Sequence, residues 1–491
     1  MNIKIIRYVL GLVLKIESGL LLLPVFVGLI YHEDVINAYI ITALIAFFLG
    51  TLFSLKKPAN TILHLKEGCI ATALSWIVLS LIGAIPFVLT KEIPKYIDAY
   101  FETVSGFTTT GASILNNVEA LSHASLFWRS FTHWVGGMGV LVFLLAIMPL
   151  SGGSNINLMK AESPGPSVGK LTPKVRSSAT ILYQIYFSMT LLEFILLIVN
   201  QMPVFDAICL SFGTAGTGGF GVKGDSIASY SVIQQWIIGI FMMLFGINFN
   251  FYYFFLQKKP KKAFEIEEVR WYLFFIIAAT AGIFAQLSGN LNGIEHKLRV
   301  AFFQVASIIT TTGFSTDDFN VWAPNAQLIM VLLMFMGACA GSTGGGFKVS
   351  RIIILAKAFV RELRSYIHPK SVRQVRVDKS PLPEGIVKST LVYLATYMLI
   401  FIVSHFLVSL DGKDFVTSFT AVTATFNNIG PGLAGVGPMS NFADMSTFSK
   451  LVLSFDMLAG RLELFPMLLL ITPAVWKNTR LQSKHDIVSL F

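Results

Sequence analysis

The stretch Thr310-Thr311-Thr312-Gly313-Phe314 occurs four times in this chain, in full or altered form. Its other copies are Thr108-Thr109-Thr110-Gly111-Ala112, Thr217-Gly218-Gly219-Phe220 and, with two asparagines, Asn427-Asn428-Ile429-Gly430-Pro431. Each copy follows a short apolar stretch and precedes one of membrane length. Four such turns meeting on one axis would surround it with backbone carbonyls, the arrangement that replaces the hydration shell of a potassium ion. The turns therefore predict a cation pore.

The composition is that of an integral membrane protein. Of the 491 residues, 54% are hydrophobic and only 13% are charged. Apolar runs of about 20 residues can cross a bilayer as helices. Ten spans are predicted: 5–30, 35–54, 66–90, 125–150, 178–200, 231–256, 269–289, 325–362, 386–409 and 447–476.

Basic and acidic residues lie in alternate loops, and this distribution predicts the orientation of the protein in the membrane. The net charge is +10, and the basic residues cluster near 56–57, 160–176, 258–262, 361–376 and 477–484. The alternate loops carry acidic residues near 33–34, 102, 119, 225, 317–318, 414 and 444. Because basic loops stay in the cytoplasm, both termini are expected inside and the four turns are expected to open outside. The positive charge is thus expected to reflect a cytoplasmic-membrane protein, with no nucleic-acid partner.

The N-terminus and the cysteines call for simple interpretations. Lys4 and Arg7 precede an apolar run as in a signal peptide, but Lys15 and Glu17 interrupt that run. An uncleaved first helix is therefore expected. The three cysteines lie in apolar segments without disulfide or metal-site spacing, so they are expected to be small buried residues.

After two leading helices, the chain repeats one unit: spanning helix, short helix, glycine turn, spanning helix. The short helices are predicted near 95–108, 203–215, 296–309 and 413–426. Each unit crosses the membrane twice, so the units are parallel and share an axis along the membrane normal. The predicted fold is all-α, with four helix–pore helix–filter–helix repeats around a pseudo-fourfold pore. The units are an N-terminal helix pair (1–60), repeats at 61–155, 175–258, 266–365 and 383–480, and a C-terminal tail (481–491).

This arrangement explains the composition of the turns. Each short helix would direct the negative end of its dipole at the axis, which favours a cation there. An irregular backbone at membrane depth must line a cavity or be buried in protein. Glycine permits the dihedral angles that turn carbonyls inward. One such turn alone would be interpreted as an ordinary loop; four at equivalent places favour the pore.

The turns and three further motifs resemble the TrkH/KtrB superfamily of potassium transporters over essentially the whole chain. The leading helix pair is similar to the TrkH branch. The resemblance implies passage of K⁺ and Rb⁺, a homodimer, and control by a cytosolic nucleotide-binding regulator of the TrkA type. The further motifs are Trp134-Val135-Gly136-Gly137-Met138-Gly139, Gly341-Ser342-Thr343-Gly344-Gly345-Gly346 and Ala459-Gly460-Arg461-Leu462-Glu463.

A run of small residues, 337–346, interrupts the second helix of the third repeat, since such residues propagate a helix poorly. A phosphate loop is disfavoured because Lys348 follows Phe347 and the G-K-[ST] order is missing. Close helix packing through small residues is an alternative. The favoured interpretation, which the resemblance also implies, is a gating loop beneath the filter. Its expected gating residues are Gly341, Gly344, Gly345 and Gly346.

Arg461 is predicted near the centre of the last span, where an unpaired charge is costly. Asp456 and Glu463 are candidate partners, though neither lies at the ideal spacing for a pair with Arg461 on one helical face. The resemblance implies instead that this arginine points into the pore below the filter. There its charge would raise the barrier to cations until the gate opens. A structural ion pair is the alternative.

The expected filter ligands are the carbonyls and neighbouring groups of the four turns. Glycine at each key position favours K⁺ over Na⁺; in related plant proteins a serine in the first copy accompanies Na⁺ passage, and here that residue is Gly111. A sodium-permeable or cation-coupled secondary transporter remains the alternative, although a solute transporter would predict inverted repeats and paired broken helices. A membrane enzyme is disfavoured because no catalytic cluster is evident. No organic cofactor is expected in this chain. The filter residues are Thr109, Thr110, Gly111, Gly218, Gly219, Thr312, Gly313, Ile429 and Gly430.

Four other polar residues in or near the spans are expected to be buried contacts between helices. They are Glu193, Arg129, His133 and Asn248.

Overall fold

The computed structural model describes residues 1–58, 64–139, 175–287, 293–370 and 373–476. It confirms an all-α membrane fold, since the described chain is helical apart from loops and one hairpin. The helices are α1 Ile3–Leu20, α2 Leu22–Tyr31, α3 Ile36–Ser54, α4 Leu65–Gly83, α5 Ile85–Leu89, α6 Tyr96–Phe107, α7 His123–Met138, α8 Val175–Val199, α9 Val204–Gly216, α10 Val232–Phe245, α11 Phe249–Leu256, α12 Pro260–Glu265, α13 Glu267–Gln286, α14 Ile294–Ile309, α15 Pro324–Met336, α16 Val349–Ile367, α17 Glu384–Ser409, α18 Phe415–Phe426, α19 Thr447–Arg461 and α20 Phe465–Ile471.

Within these residues, six helical segments are long and apolar enough to cross a membrane. They are Ile3–Tyr31, Ile36–Ser54, Leu65–Leu89, Thr180–Val199, Glu267–Gln286 and Glu384–Ser409. They correspond to the leading pair and to the first helix of each repeat. The hairpin, β1 Arg376–Val377 with β2 Ser380–Pro381, is antiparallel and lies between the third and fourth repeats.

The leading helices pack through glycine. Gly11 on α1 and Gly50 on α3 face each other so closely that a β-carbon at Gly11 would lie 2.8 Å from the Gly50 carbonyl oxygen. Helix α3 exposes apolar side chains away from this contact, among them Phe48, 68% exposed. This pair therefore forms a close-packed unit with a lipid-compatible outer face.

The four short helices are α6, α9, α14 and α18. Their observed bounds lie within two residues of the predicted ones at every end. Most of their residues are buried, including Phe107, Ile309 and Phe426 at or beside their C-termini. The repeats thus enclose their short helices, which end together inside the molecule.

The second helices of the second and fourth repeats are not the continuous spans that the sequence predicted. The segment 231–256 is wrong as one helix, because α10 and α11 meet at an angle of 91° around Gly246 and Asn248. The segment 447–476 is also wrong, because α19 ends at Arg461 and both Glu463 and Leu464 have φ of 64°. Together with the predicted break between α15 and α16, three second helices are interrupted. The first, α7, ends at Met138, and residues 140–150 lie outside the described part of the chain.

Candidate ion filter and the loop beneath it

The four turns share one backbone conformation. Thr109, Thr217, Thr311 and Asn428 have φ of 57°, 53°, 61° and 56°, and the glycine two residues later has φ of 79°, 80°, 86° and 97°. Because a left-handed residue stands two positions before each glycine, Gly219 is the equivalent of Gly111, Gly313 and Gly430. A threonine in the left-handed region is uncommon because its branched β-carbon is strained there. Three such threonines at equivalent places mark a conformation held for function.

The turns end their helices by one hydrogen-bond pattern. The amide after the left-handed residue bonds a carbonyl five residues back, at 2.9 Å from Thr110 to Ser105 and 2.8 Å from Gly218 to Gly213. The other two copies repeat it at 2.8 Å, from Thr312 to Ser307 and from Ile429 to Ala424. This is the Schellman arrangement, which stops a helix at a left-handed residue.

The turns abut one another in a closed ring. A β-carbon at Gly111 would lie 2.1 Å from the carbonyl oxygen of Gly218, and one at Gly219 would lie 2.0 Å from that of Thr312. The next steps run from Gly313 to the Ile429 oxygen, 2.0 Å, and from Gly430 to the Thr110 oxygen, 2.8 Å. Each glycine therefore sits against the carbonyl that precedes the next glycine. Four such steps return to the first repeat, so the carbonyls of residues 110, 218, 312 and 429 encircle one axis.

A cavity of about 140 Å³ lies on this ring. All four glycines line it, together with residues that follow them along the chain, such as Ser113 and Lys223. The four short helices end beside it. The ring thus opens onto a chamber lined by the turns of all four repeats, where a cation can exchange its water for backbone carbonyls.

A buried ion pair supports the ring between the first and second repeats. Arg129 Nε lies 2.5 Å from Glu102 Oε1, and Glu102 also accepts from the Ile114 amide at 2.9 Å. The guanidinium stacks 3.7 Å from the Phe220 ring centre and donates to the Gly221 carbonyl at 3.1 Å. The pair joins the first short helix to the backbone directly after Gly219.

His133 supports the same junction from the other side. Its Nδ1 lies 2.8 Å from the Gly106 carbonyl, and its Nε2 lies 3.3 Å from the Phe220 amide nitrogen. A carbonyl needs a donor and an amide needs an acceptor, so these contacts require the neutral tautomer with its proton on Nδ1. Both His133 and Arg129 were predicted to be contacts between helices, but their position behind the filter followed from no local pattern.

Asn428 closes the ring between the fourth and first repeats. Its side-chain nitrogen donates to Thr110 Oγ1 and to the Met457 carbonyl, both at 2.9 Å. Asparagine tolerates the left-handed conformation, and its amide reaches partners that a threonine hydroxyl could not. The departure of the fourth copy from the threonine pattern therefore supplies a bridge to the first copy.

The glycine-rich loop 337–348 lies directly under the ring. The Gly345 amide donates to Thr311 Oγ1 at 2.6 Å, and a β-carbon at Gly344 would lie 2.8 Å from the Thr310 carbonyl oxygen. Gly341 accepts from the Phe249 amide at 3.0 Å, at the bend of the second repeat. Gly341 and Gly346 have φ of 70° and 76°, which explains glycine there. The loop thus touches the undersides of the second and third repeats.

Glu268 fixes both ends of this loop. It is 7% exposed and accepts from the amides of Ala340, 2.7 Å, and Ser350, 2.9 Å. Lys348 is also buried, and its ammonium bonds the Gly344 carbonyl. No local pattern distinguished Glu268 in the sequence, since it stands among the charges that begin α13.

Arg461 joins the loop to the first repeat. Its guanidinium donates to the carbonyls of Thr343 at 2.7 Å, Gly136 at 2.6 Å and Gly137 at 2.7 Å. The candidate partners are engaged elsewhere: Glu463 pairs with Arg351, and Asp456 accepts from Ser404 at 2.6 Å. The contacts of Arg461 with Thr343, Gly136 and Gly137 are thus to backbone carbonyls, and each candidate carboxylate bonds another side chain.

The fourth short helix begins with a carboxylate cap whose loss we expect to weaken it. Asp414 accepts from the Thr417 amide at 2.9 Å and from its hydroxyl, and these hydrogen bonds, the hydroxyl's first, hold the pKa of Asp414 below its usual range. Replacing Asp414 with alanine should cost about 1 kcal/mol, while asparagine should cap nearly as well. Because the pKa is lowered, the cap's stabilisation is complete above the ordinary aspartate pKa and is lost as the pH falls through the lowered one. Thermal unfolding of both variants at pH 7 checks this, and equal losses would contradict it.

The fold and the ring together define a class: membrane proteins whose parallel repeats each insert a short helix and a filter turn around one axis. The family model TrkH, described as "Cation transport protein", matches residues 33–477. The chain belongs to the TrkH family.

Named relatives agree over the full length. The "Trk system potassium uptake protein TrkH" of Salmonella typhimurium is 36% identical over 486 residues, which cover 97% of this chain and all of that protein. The protein named TrkG of Escherichia coli K12 is 30% identical and is covered to 99%. The crystal structure of the potassium transporter TrkH from Vibrio parahaemolyticus superposes with a TM-score of 0.88 at 32% identity, covering 97% of this chain and 100% of that one.

Proposed function

We propose that this protein carries K⁺, and Rb⁺ in its place, across the cytoplasmic membrane through the ring of carbonyls. The closure of the ring is the observation that carries the proposal, because four equivalent carbonyls around one axis can replace the water of a monovalent cation. The relatives' names, which describe potassium uptake, support the same ion. The residues assigned to the filter are Thr109, Thr110, Gly111, Gly218, Gly219, Thr312, Gly313, Ile429 and Gly430.

The short helices would assist the ion in the ring. Their C-termini carry the negative ends of four helix dipoles, and all four end beside the filter. A cation leaving water would meet these dipoles and the carbonyls together. An anion would be repelled by both, so the site is specific for positive charge.

The loop beneath the ring would act as the gate. Gly344 and Gly345 allow it to pack tightly under the filter, because a side chain there would strike the Thr310 or Asn427 carbonyls. Gly341 and Gly346 provide the positive φ angles that the loop adopts. Arg461 holds the loop to Gly136 and adds a positive charge below the filter. The packed loop and the charge of Arg461 would both hinder the passage of a cation until the loop moves.

Orientation and partners complete the proposal. The basic loops would face the cytoplasm, with both termini on that side and the filter cavity outside. A second copy of the chain and a TrkA-type nucleotide-binding regulator are proposed partners by family membership. No organic cofactor is assigned to this chain.

A cation-coupled secondary transporter remains the alternative, and one observation favours it. Three second helices are interrupted, whereas the sequence had indicated only one, and broken helices are frequent in such transporters. The repeats are nevertheless parallel rather than inverted. Coupling would appear as uptake that follows an imposed H⁺ or Na⁺ gradient.

The test is ⁸⁶Rb⁺ flux into liposomes that hold the purified protein, with K⁺ or Na⁺ as competitor. Competition by K⁺ and little by Na⁺ is the expected result. Equal competition by Na⁺ would keep the pore and overturn the selectivity. Absence of flux, with and without a candidate regulator, would contradict the proposal.

A further inference from the structure

A basic cleft lies at the end of α16, away from the filter. Two adjoining cavities, of about 790 and 620 Å³, share three arginines, Arg361, Arg364 and Arg373. The larger also reaches Lys357 and Arg376, so the segment 373–376 forms its other wall. We call these five cations, with the space between them, the basic cleft.

Positive charge exceeds negative charge in the basic cleft. Lys357 pairs with Glu267 at 2.6 Å, and Arg361 pairs with Glu384 at 2.7 Å. Glu362 lines the smaller cavity. Five cations against three carboxylates leave an excess of two. Arg364 is exposed and forms no ion pair with the described residues, so its guanidinium is directed at solvent or a ligand.

The ion pairs fix the depth of the cleft in the membrane. The spanning helix α13 has 20 residues, which matches the hydrocarbon thickness, so its first residue, Glu267, lies at the boundary. Lys357 is paired with Glu267 and lies at the same level. Arg361 and Arg364 follow four and seven residues later on α16, or about 6 and 10 Å further out. Headgroups occupy roughly 5–8 Å beyond the hydrocarbon, so Arg361 lies in the phosphate layer and Arg364 lies just outside it.

The neighbouring helices offer apolar surface to acyl chains. Trp271 and Phe274, one and two turns into α13, are 42% and 55% exposed. Leu391 and Val392, on α17 above Glu384, are 48% and 56% exposed. A tryptophan at the boundary is typical of a membrane interface. The basic cleft therefore opens beside lipid-facing surface on two helices.

We propose that the basic cleft binds the phosphate of an anionic phospholipid, such as phosphatidylglycerol, in the leaflet on the basic side of the protein. Arginine forks match phosphate oxygens, and basic pockets between spanning helices select anionic headgroups. An acidic surface of a cytosolic protein would also complement the charge. The depth of Lys357 and Arg361 favours lipid, because headgroups already occupy that layer. The proposal is independent of the ion that the filter carries.

Native mass spectrometry of the detergent-purified protein tests the proposal, with phosphatidylglycerol and phosphatidylcholine of identical chains as probes. Phosphatidylglycerol should bind more tightly than phosphatidylcholine. The double variant Arg364→Gln/Arg373→Gln should weaken phosphatidylglycerol binding about twenty-fivefold, from roughly fivefold for each interfacial arginine, and leave phosphatidylcholine binding unchanged. Lys91→Gln/Lys297→Gln, with the same charge change on the other side, should bind like the wild type.

The unfolding temperature of the double variant, measured without lipid, checks that it is folded. It should equal that of the wild type, because both substituted side chains are exposed. Four results would overturn the proposal: equal binding of both lipids, unchanged binding in the double variant, the same loss in the Lys91→Gln/Lys297→Gln control, or full displacement of the lipid by millimolar inorganic phosphate. If the basic cleft binds an acidic regulator and shows no preference between the two lipids, it is a docking site for a protein partner instead.

Discussion

Replacing Gly219 with alanine is expected to abolish rubidium flux. The new β-carbon would lie 2.0 Å from the Thr312 carbonyl oxygen, which belongs to the backbone of the ring and cannot rotate away as a flexible side chain could. Gly219 also has φ of 80°, where alanine is strained by about 1–2 kcal/mol. The turns must separate by roughly 1 Å or more to admit the methyl group. In enzymes, a displacement of that size between reacting groups lowers the rate about a hundredfold. The filter carbonyls must be placed with similar precision to coordinate an ion.

Gly412→Ala is the matched control. Gly412 has φ of 71° but no neighbouring atom within 4 Å, so alanine there carries the backbone strain without the contact in the ring. Its flux should stay close to that of the wild type. Gly430→Ala should be the mildest change in the ring, because its β-carbon would lie 2.8 Å from the nearest carbonyl oxygen. Normal flux in folded Gly219→Ala protein would contradict the assignment of the filter.

The regular part of this fold was predictable because it depends on length and periodicity. Apolar runs of about 20 residues indicated the first helix of each repeat, and a dozen or so apolar residues before each turn indicated the short helices. The bend at Gly246 and the break after Arg461 were missed, because an apolar run looks the same whether its helix is straight or interrupted. Leu464 adopts φ of 64°, although nothing in its side chain favours that conformation. Tertiary contacts determine such breaks.

The site was predictable where the backbone demands a particular residue. Each ring glycine is required by a positive φ and by a neighbouring carbonyl, and both constraints leave a mark in the sequence. The residues behind the ring leave no such mark. His133 lies 87 residues from Phe220, and Asn428 lies 318 residues from Thr110, so only the closed ring brings these pairs together. Arg461 was recognisable as an unusual charge, but its carbonyl partners come from two other repeats.

Replacing Arg461 with glutamine is expected to raise rubidium flux in the absence of any regulator. A unit charge about 5 Å from the ion path opposes a cation by about 3 kcal/mol at an effective dielectric constant of about 20, which corresponds to roughly a hundredfold or more in rate. Glutamine removes this charge and also the hydrogen bonds that hold Thr343 to Gly136 and Gly137. Both losses favour ion passage and a mobile loop. Flux into liposomes, normalised to folded protein, measures the increase.

Arg461→Lys separates the two contributions. Lysine keeps the positive charge but lacks the planar fork that reaches carbonyls of the loop and of α7 together. A small increase with lysine and a large one with glutamine would assign most of the barrier to charge. Equal large increases would assign it to the hydrogen bonds that fix the loop. If neither folded variant conducts more than the wild type, Arg461 does not hold the pore closed, and its three carbonyl contacts serve only to pack the first and third repeats against the fourth.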